Sequence, residues 1–597
     1  MTTDENEKGN NSAVLNDNLA KIEVLSQRLI AALAKREDFD PGLQGPGPDL
    51  YAKAASAYFT EVMANPAKLM EQQVSYWGKS LQNFIAVQQG LLSGEFSAPD
   101  APKQADKRFS NPMWDENPYF HFVKQQYLMN AEAVEKAVAE LEGLDDKDKK
   151  RIEYFSRQIL DLYSPTNFLA TNPDALSLAV ETEGQSLVDG LENLVRDIEA
   201  NNGELLVTLA DKDAFKVGEN IATTPGSVVF RNRMFELIQY KPTTDTVHET
   251  PLIIFPPWIN KFYIMDLKEQ NSLIKWVVDQ GYTLFIVSWV NPDTSYRDVG
   301  LDEYISEGYL TAIDQVKQIC DVKQVNVVGY CIAGTTLALT LALMKKRKDK
   351  SIKSATFFTA LTDFEDQGEV GVFLNNDFMD GIEREVTETG VLKSFFVART
   401  FSYLRANDLV YGPAIRSYMM GQAPPAFDLL FWNGDGTNLP ARMAIQYLRG
   451  LCQDNKFAQG GFDILGETLE LKDVDVPLCA IACETDHIAA WKSSFDGIQK
   501  MGSKDKSFIL SESGHIAGII NPPTKKKYGH YTNPDLQEDH DAWREHADFH
   551  EGSWWPTWEA WLKKRSGKQI EARNPGDSGQ PILADAPGTY VVAVPND

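Results

Sequence analysis

A cysteine between glycines closes a short apolar run in VNVVGYCIAGTTLALTLAL, where Gly329-Tyr330-Cys331-Ile332-Ala333-Gly334 marks a buried strand turning sharply into a helix. A strained turn of that kind lifts one side chain above the sheet, and the helix N-terminus behind it favours an anion. A cysteine so placed ionises more easily and becomes a nucleophile. A small apolar residue ending a core strand is the other use of an unpaired cysteine, and the hexapeptide alone leaves both readings open. Two further segments favour chemistry. PLCAIAC leads into Glu484-Thr485-Asp486-His487, and KSFILSE leads into Ser513-Gly514-His515, so an Asp and a His each follow the carboxyl end of a strand. Thiol, carboxylate and imidazole in the chain order Cys, Asp, His can move a proton off sulfur and onto a leaving group. It is also the order of the triad in α/β-hydrolases, with a first interval long enough to hold an inserted subdomain.

Other candidates are weaker. His487 adjoins Asp486 too closely in the chain to face it and is expected to pack locally. Cys479 and Cys483 share one strand face but stand too far apart for a tetrahedral metal, and His546 and His550 lack the Glu of HExxH even if they share a helix face. No metal and no separately bound cofactor is expected. Gly45-Pro46-Gly47 precedes no strand-to-helix turn and reads as linker. The loop Pro256-Pro257-Trp258-Ile259-Asn260-Lys261 follows strand LIIF, where this fold supplies a second oxyanion donor. The backbone N–H groups of Ile332 and Ile259 are the candidate donors; a rigid Pro-Pro turn with a buried tryptophan is the alternative. Trp554, Trp555, Trp558 and Trp561 recur at helical spacing and read as a helix packed on the core.

Positioning these groups needs a parallel sheet. SVVFRN, FELIQY, LIIFPPW, TLFIVSW and VNVVGYC are β-branched and aromatic runs, the later ones separated by helical segments, which is the βαβ pattern of an α/β fold. The alternation lapses from about 363 to 446, an inserted cap over the sheet. Residues 1–214 read as an all-helical N-terminal region and 215–597 as the catalytic domain. Within the first region, about a dozen residues are expected to be disordered. Leu15, Leu19, Ile22, Leu25, Leu29 and Leu33 then form one apolar helix stripe, a second helical tract runs over about 50–92, and linkers fall near 41–49 and 96–107. Helical pattern continues from Trp114 to about Leu209, broken at SPTNFLATNP by Pro165 and Pro173.

Composition bounds the function. Of 597 residues, 43% are hydrophobic and 24% charged, as in ordinary globular proteins. The net charge of −27 argues against nucleic-acid binding, which needs a basic face. The acidic start MTTDENEKGNN is not a secretory signal, no apolar stretch is long enough for a transmembrane span, and five cysteines suit a reducing cytoplasm better than a disulfide framework.

KRFSNPMW, SPTNFLATNP, PPWINKFYIMDL, GYCIAGT, FWNGDGTNLP, TDHIAAW, SGHIAGIINPP and GSWWPTW together resemble the class I polyhydroxyalkanoate synthases, which polymerise 3-hydroxyacyl-CoA, over roughly residues 108–595. The resemblance implies an α/β-hydrolase core with a cap, a thiol nucleophile at Cys331, a base at His515 and a carboxylate partner at Asp486. It also implies a homodimer in the cytoplasm at polyester granules, with granule-coating proteins as further candidate partners. The expected substrate is a short-chain (R)-3-hydroxyacyl-CoA, 3-hydroxybutyryl-CoA. The family's run G-x-C-x-G-G has Ala333 here at the first of its paired glycines, a position assigned to relieving strand–helix crowding, so a small change of geometry is expected. Sulfur suits the chemistry, because exchange of one thioester for another keeps its transfer potential, whereas a serine ester would lose it. The cap would exclude water. Lys525, Lys526 and Lys527 are candidates for the CoA phosphates, with a solvated loop as the alternative. A thioesterase or depolymerase on the same fold and a non-catalytic granule-surface protein are the competing functions.

Overall fold

Six apolar runs form parallel strands whose carboxyl ends share one edge. In the computed structural model, which describes residues 3–35, 52–58, 60, 66–93 and 106–595, the principal strands are β1 (Gly226–Arg231), β2 (Phe235–Tyr240), β3 (Leu252–Phe255), β4 (Leu284–Trp289), β5 (Val325–Tyr330), β6 (Ile352–Phe358), β7 (Leu478–Cys483) and β8 (Lys506–Ser511). Short strands β9 (His530–Thr532), β10 (Asp548–His550) and β11 (Ala584–Asp585) complete one sheet in the order β10-β9-β8-β7-β6-β5-β3-β4-β2-β1-β11. Strands β3 to β8 pair in parallel, and β2 runs antiparallel between β1 and β4. Strands β3, β4, β5 and β7 are buried along their whole length, which is why they read as continuous apolar runs without alternation. From β3 the chain steps to β4 on one side and then crosses to β5 on the other. That reversal opens a crevice at the carboxyl ends of β3 and β5.

The chain divides into two compact units, Lys212–Ala398 with Ala426–Asp597, and Met1–Asp211 with Arg399–Pro425. The connection between β6 and β7 contains the expected insertion, including helices Asn376–Thr389 and Ser394–Leu404. Its middle, Arg399–Pro425, belongs to the helical unit. There Tyr418 donates its hydroxyl to the buried carboxylate of Asp197 at 2.8 Å, and Asn193 donates to the Ser417 carbonyl at 3.1 Å.

No strand precedes Gly226 among the described residues. Helix α1 (Thr3–Leu33) begins well before the point where a disordered start was expected to end. The chain has no proline before Pro41, so nothing in the backbone stops the helix from extending backwards. Its apolar stripe is used in part: Leu25 and Leu29 pack on Val188, Leu191 and Val195 of helix Gln185–Ala200, while Leu19, Ile22 and Leu33 stay exposed. Arg28 and Glu199 pair at 2.7 Å beside that contact. Helix α2 (Pro66–Ser93) exposes Val74, Trp77, Leu81 and Phe84 along one side. The linkers expected near 41–49 and 96–107 lie outside the described residues except for Asp106 and Lys107, and Leu15 lies where side chains are not described. No described helix is long and apolar enough to cross a membrane.

Candidate active site

At the end of β5 the backbone of Cys331 turns to φ 56°, ψ −128°, and helix α3 (Ile332–Lys346) starts at the next residue. A non-glycine residue in such a conformation stores about 1–3 kcal/mol, so its surroundings must hold it. They do so on both sides: the Cys331 N–H donates to the Phe358 carbonyl of β6 at 2.8 Å, and the Cys331 carbonyl accepts from the Gly334 N–H at 2.8 Å. Strand and helix approach so closely that a Cβ on Gly329 would lie 2.6 Å from the Gly334 Cα, and one on Gly334 would lie 2.5 Å from the Ala360 Cβ. The crowded positions are therefore 329 and 334, both glycine here. Position 333, expected to relieve the crowding, is not the one that does. Ala333 is fully buried, and its carbonyl accepts the Tyr309 hydroxyl at 2.8 Å.

The loops after β7 and β8 bring Asp486 and His515 together. His515 Nδ1 lies 2.6 Å from Asp486 Oδ2, with the carboxylate fully buried and the imidazole nearly so. The other carboxylate oxygen, Oδ1, accepts the N–H groups of Ile488 at 2.8 Å and Ala489 at 2.9 Å, so the Asp486 side chain is clamped by its own turn. Facing a carboxylate, Nδ1 carries a proton, which leaves Nε2 as the ring nitrogen turned away from Asp486. Burial works against a charged imidazole here, but the Asp486 carboxylate and the Cys331 sulfur outweigh it and raise the His515 pKa well above the ordinary value. The site is built to keep a proton on His515.

Two residues that sequence reasoning treated only as packing hold the imidazole's loop. Trp554 Nε1 donates to the Gly518 carbonyl at 2.7 Å and Trp555 Nε1 to the Ile519 carbonyl at 2.8 Å, while the Tyr330 ring stacks on His515 with centroids 6.0 Å apart. The adjacent indoles of GSWWPTW were the available signal, since a buried indole N–H needs an acceptor. Trp554, Trp555 and Trp558 are buried, and helix Trp555–Lys563 packs on the core as its spacing suggests.

The remaining candidates fall elsewhere. His487 follows Asp486 in the chain, but the imidazole bonded to that carboxylate is His515. His546 lies just past helix His540–Glu545 and His550 on β10, so they share no helix face. Lys525, Lys526 and Lys527 are exposed. Among the described residues no group of three or more His, Cys, Asp or Glu is placed to hold a metal ion. Ile332 opens α3, where first-turn N–H groups lack helical acceptors. Ile259 sits in the loop after β3, and Phe255 of β3 is paired with Gly329 of β5, so both candidate oxyanion donors flank one crevice. Trp258 is fully buried, and its ring meets Tyr447 edge-on at 5.3 Å.

Only Cys331 among the five cysteines is partly exposed. Burial raises the Cys320 and Cys452 thiols to about 12 and pushes Cys479 and Cys483 higher still. Iodoacetamide at neutral pH is expected to modify one thiol per folded chain rapidly and the other four only on unfolding. Peptide mapping that finds the fast label anywhere but Cys331 would contradict this.

Two family models match the chain: one described as the N-terminus of poly-beta-hydroxybutyrate polymerase (PhaC) over residues 105–277, and one described as alpha/beta hydrolase fold over 251–522. A poly(3-hydroxyalkanoate) polymerase of Methylorubrum extorquens is 40% identical over 574 residues, 94% of each chain. A poly(3-hydroxyalkanoate) polymerase subunit PhaC of Rhizobium etli is 40% identical, covering 88% of this chain and 82% of its own. Its counterpart in Cupriavidus necator is 39% identical, with 88% and 89% covered.

Proposed function

Because the chain belongs to the poly(3-hydroxyalkanoate) polymerases, acyltransferases on the α/β-hydrolase fold, we propose that it polymerises (R)-3-hydroxybutyryl-CoA through an acyl group carried on Cys331. The observation that carries the reading is a cysteine at the strained elbow with His515 and Asp486 aligned behind it. In the first step the Cys331 thiolate attacks the substrate thioester. CoA leaves as its thiol with the proton His515 returns, and a new thioester forms on the enzyme. In the second, the 3-hydroxyl of another hydroxyacyl unit attacks that thioester. His515 takes the hydroxyl proton, an oxygen ester forms and the Cys331 sulfur is released. Backbone N–H groups of Ile332 and Ile259 stabilise the oxyanion of each tetrahedral intermediate. With both oxygens of Asp486 occupied within the protein, its role in this scheme is to orient and charge His515 rather than to meet the attacking hydroxyl.

Self-sufficient action as a cytoplasmic homodimer on polyester granules, without a second kind of subunit, is part of the same reading. The exposed Val74, Trp77, Leu81 and Phe84 support it as apolar surface in need of cover by a twin, by polymer or by granule-coating proteins. Incubated alone with (R)-3-hydroxybutyryl-CoA, the purified protein is expected to release CoA and deposit insoluble polyester, with a lag where monomers must first pair. Steady production of free hydroxybutyrate with no polymer would overturn the polymerase reading for this substrate in favour of thioester hydrolysis.

A further inference from the structure

We infer that Thr437 is a positioning residue for the oxyanion hole: its hydroxyl holds the Trp258 carbonyl and thereby aims the Ile259 N–H at the acyl oxygen on Cys331. The inference rests on the acyl-cysteine reading above and deepens it.

Thr437 is 1% exposed, and its Oγ1 donates to the Trp258 carbonyl oxygen at 2.6 Å. The carbonyl of Trp258 and the N–H of Ile259 belong to one peptide unit. In a planar trans peptide these two groups point in opposite directions, so fixing one fixes the other. The same segment grips the loop twice more: the Thr437 N–H donates to the Ile259 carbonyl at 3.0 Å, and Trp432 Nε1 donates to the Lys261 carbonyl at 2.7 Å. Tyr263 adds its hydroxyl to Asp435 at 2.7 Å. From the opposite side, Trp258 Nε1 donates to Thr336 Oγ1 at 3.2 Å, and Thr336 lies on α3, the helix that begins behind Cys331. The loop is thus tied to the nucleophile's helix by the Trp258 side chain and turned by its carbonyl.

What this leaves over is the Ile259 N–H. Ile259 is 6% exposed, and among the described residues no carbonyl or side chain accepts its proton. A buried donor with its hydrogen bond unmade is destabilising, and such groups are rare outside sites where a ligand completes them. Here the completing group is an acyl oxygen at the crevice between β3 and β5. Among the held carbonyls, that of Trp258 alone shares a peptide with this N–H, and it is bonded by the Thr437 hydroxyl. A purely structural threonine would matter for folding but not for the polarity of the acyl carbonyl.

The test uses the full chain with threonine, valine, alanine or serine at 437, and butyryl-CoA labelled with 13C at its carbonyl. Without a 3-hydroxyl this donor can load Cys331 but cannot elongate. Thr437→Val is expected to slow the first CoA release by about 10- to 100-fold, since a misdirected donor forfeits part of an oxyanion interaction. The infrared band of the acyl-Cys331 carbonyl should shift to higher frequency as its hydrogen bond weakens, with Thr437→Ser restoring both rate and band. Melting curves establish that each variant is folded, and Thr437→Ala carries the decision if the valine variant is not. A folded variant without the hydroxyl that loads at the parental rate with an unshifted band overturns the inference alone. A parent that never takes an acyl group from hydroxybutyryl-CoA would instead overturn the acyl-cysteine reading.

Discussion

Cys331→Ala is expected to abolish CoA release and covalent acyl labelling together, by more than about a thousandfold, because it removes the atom to which the acyl group is transferred. The fold should survive. Alanine meets the same backbone conformation at φ 56°, and the hydrogen bonds that hold the elbow come from the main chain of residue 331. Rapid-quench measurement of the first CoA released, with intact-mass detection of the acyl adduct, reads both losses at once. Normal turnover in this variant would remove Cys331 from the mechanism. Cys331→Ser should also be severely impaired: its hydroxyl is a poorer nucleophile beside an imidazole poised for a thiolate, and its acyl ester is a less reactive donor for the second step.

His515→Gln is the second large loss, since each half-reaction moves a proton through this ring. It should stop the first acylation as well as elongation, seen in the same rapid-quench trace, and a normal burst of CoA would refute the assignment. Asp486→Asn separates the two roles a carboxylate can play. Its removal leaves the burial that opposes a charged His515 while deleting the group that most supports it, so the imidazole should lose its proton at lower pH than in the parent. Imidazole resonances followed by NMR through a pH titration report that shift. Because the carboxylate is bonded to His515 and to its own turn, acylation itself should slow in this variant. An enzyme that acylates once at full speed and then stalls would instead assign Asp486 to elongation.

How much of the molecule is legible in its sequence follows from how local each signal is. The runs that form β3, β4, β5 and β7 are continuous and apolar because both sheet faces are covered, and the carboxyl ends of parallel strands are where a fold of this kind supports chemistry. Cys331, Asp486 and His515 were legible for that reason. The Thr437 clamp was not: Thr437 and Trp258 are 179 residues apart, and nothing in the local pattern of either announces the other. The inserted segment was visible as a lapse in the βαβ rhythm, yet the grouping of Arg399–Pro425 with the helical unit depends on tertiary contacts. Helix α1 shows the limit of periodicity. Its stripe predicted a helix, but only Leu25 and Leu29 of the described stripe residues found apolar partners in helix Gln185–Ala200.

Strand β11 has a consequence for the order in which this molecule can be made. It pairs with β1 through Ser227 and Asp585, and beside it Glu236 of β2 accepts the N–H groups of Thr589 and Tyr590. Arg231 and Thr589, bonded across this edge, are 358 residues apart in the chain. During translation the first two strands of the sheet therefore leave the ribosome long before the segment that closes their edge exists. At about 5–20 residues per second, the interval is tens of seconds, ample time for an open strand edge to meet another nascent chain. A helper that shields that edge, or slower growth at lower temperature, should raise the yield of soluble protein without touching a single residue of the active site.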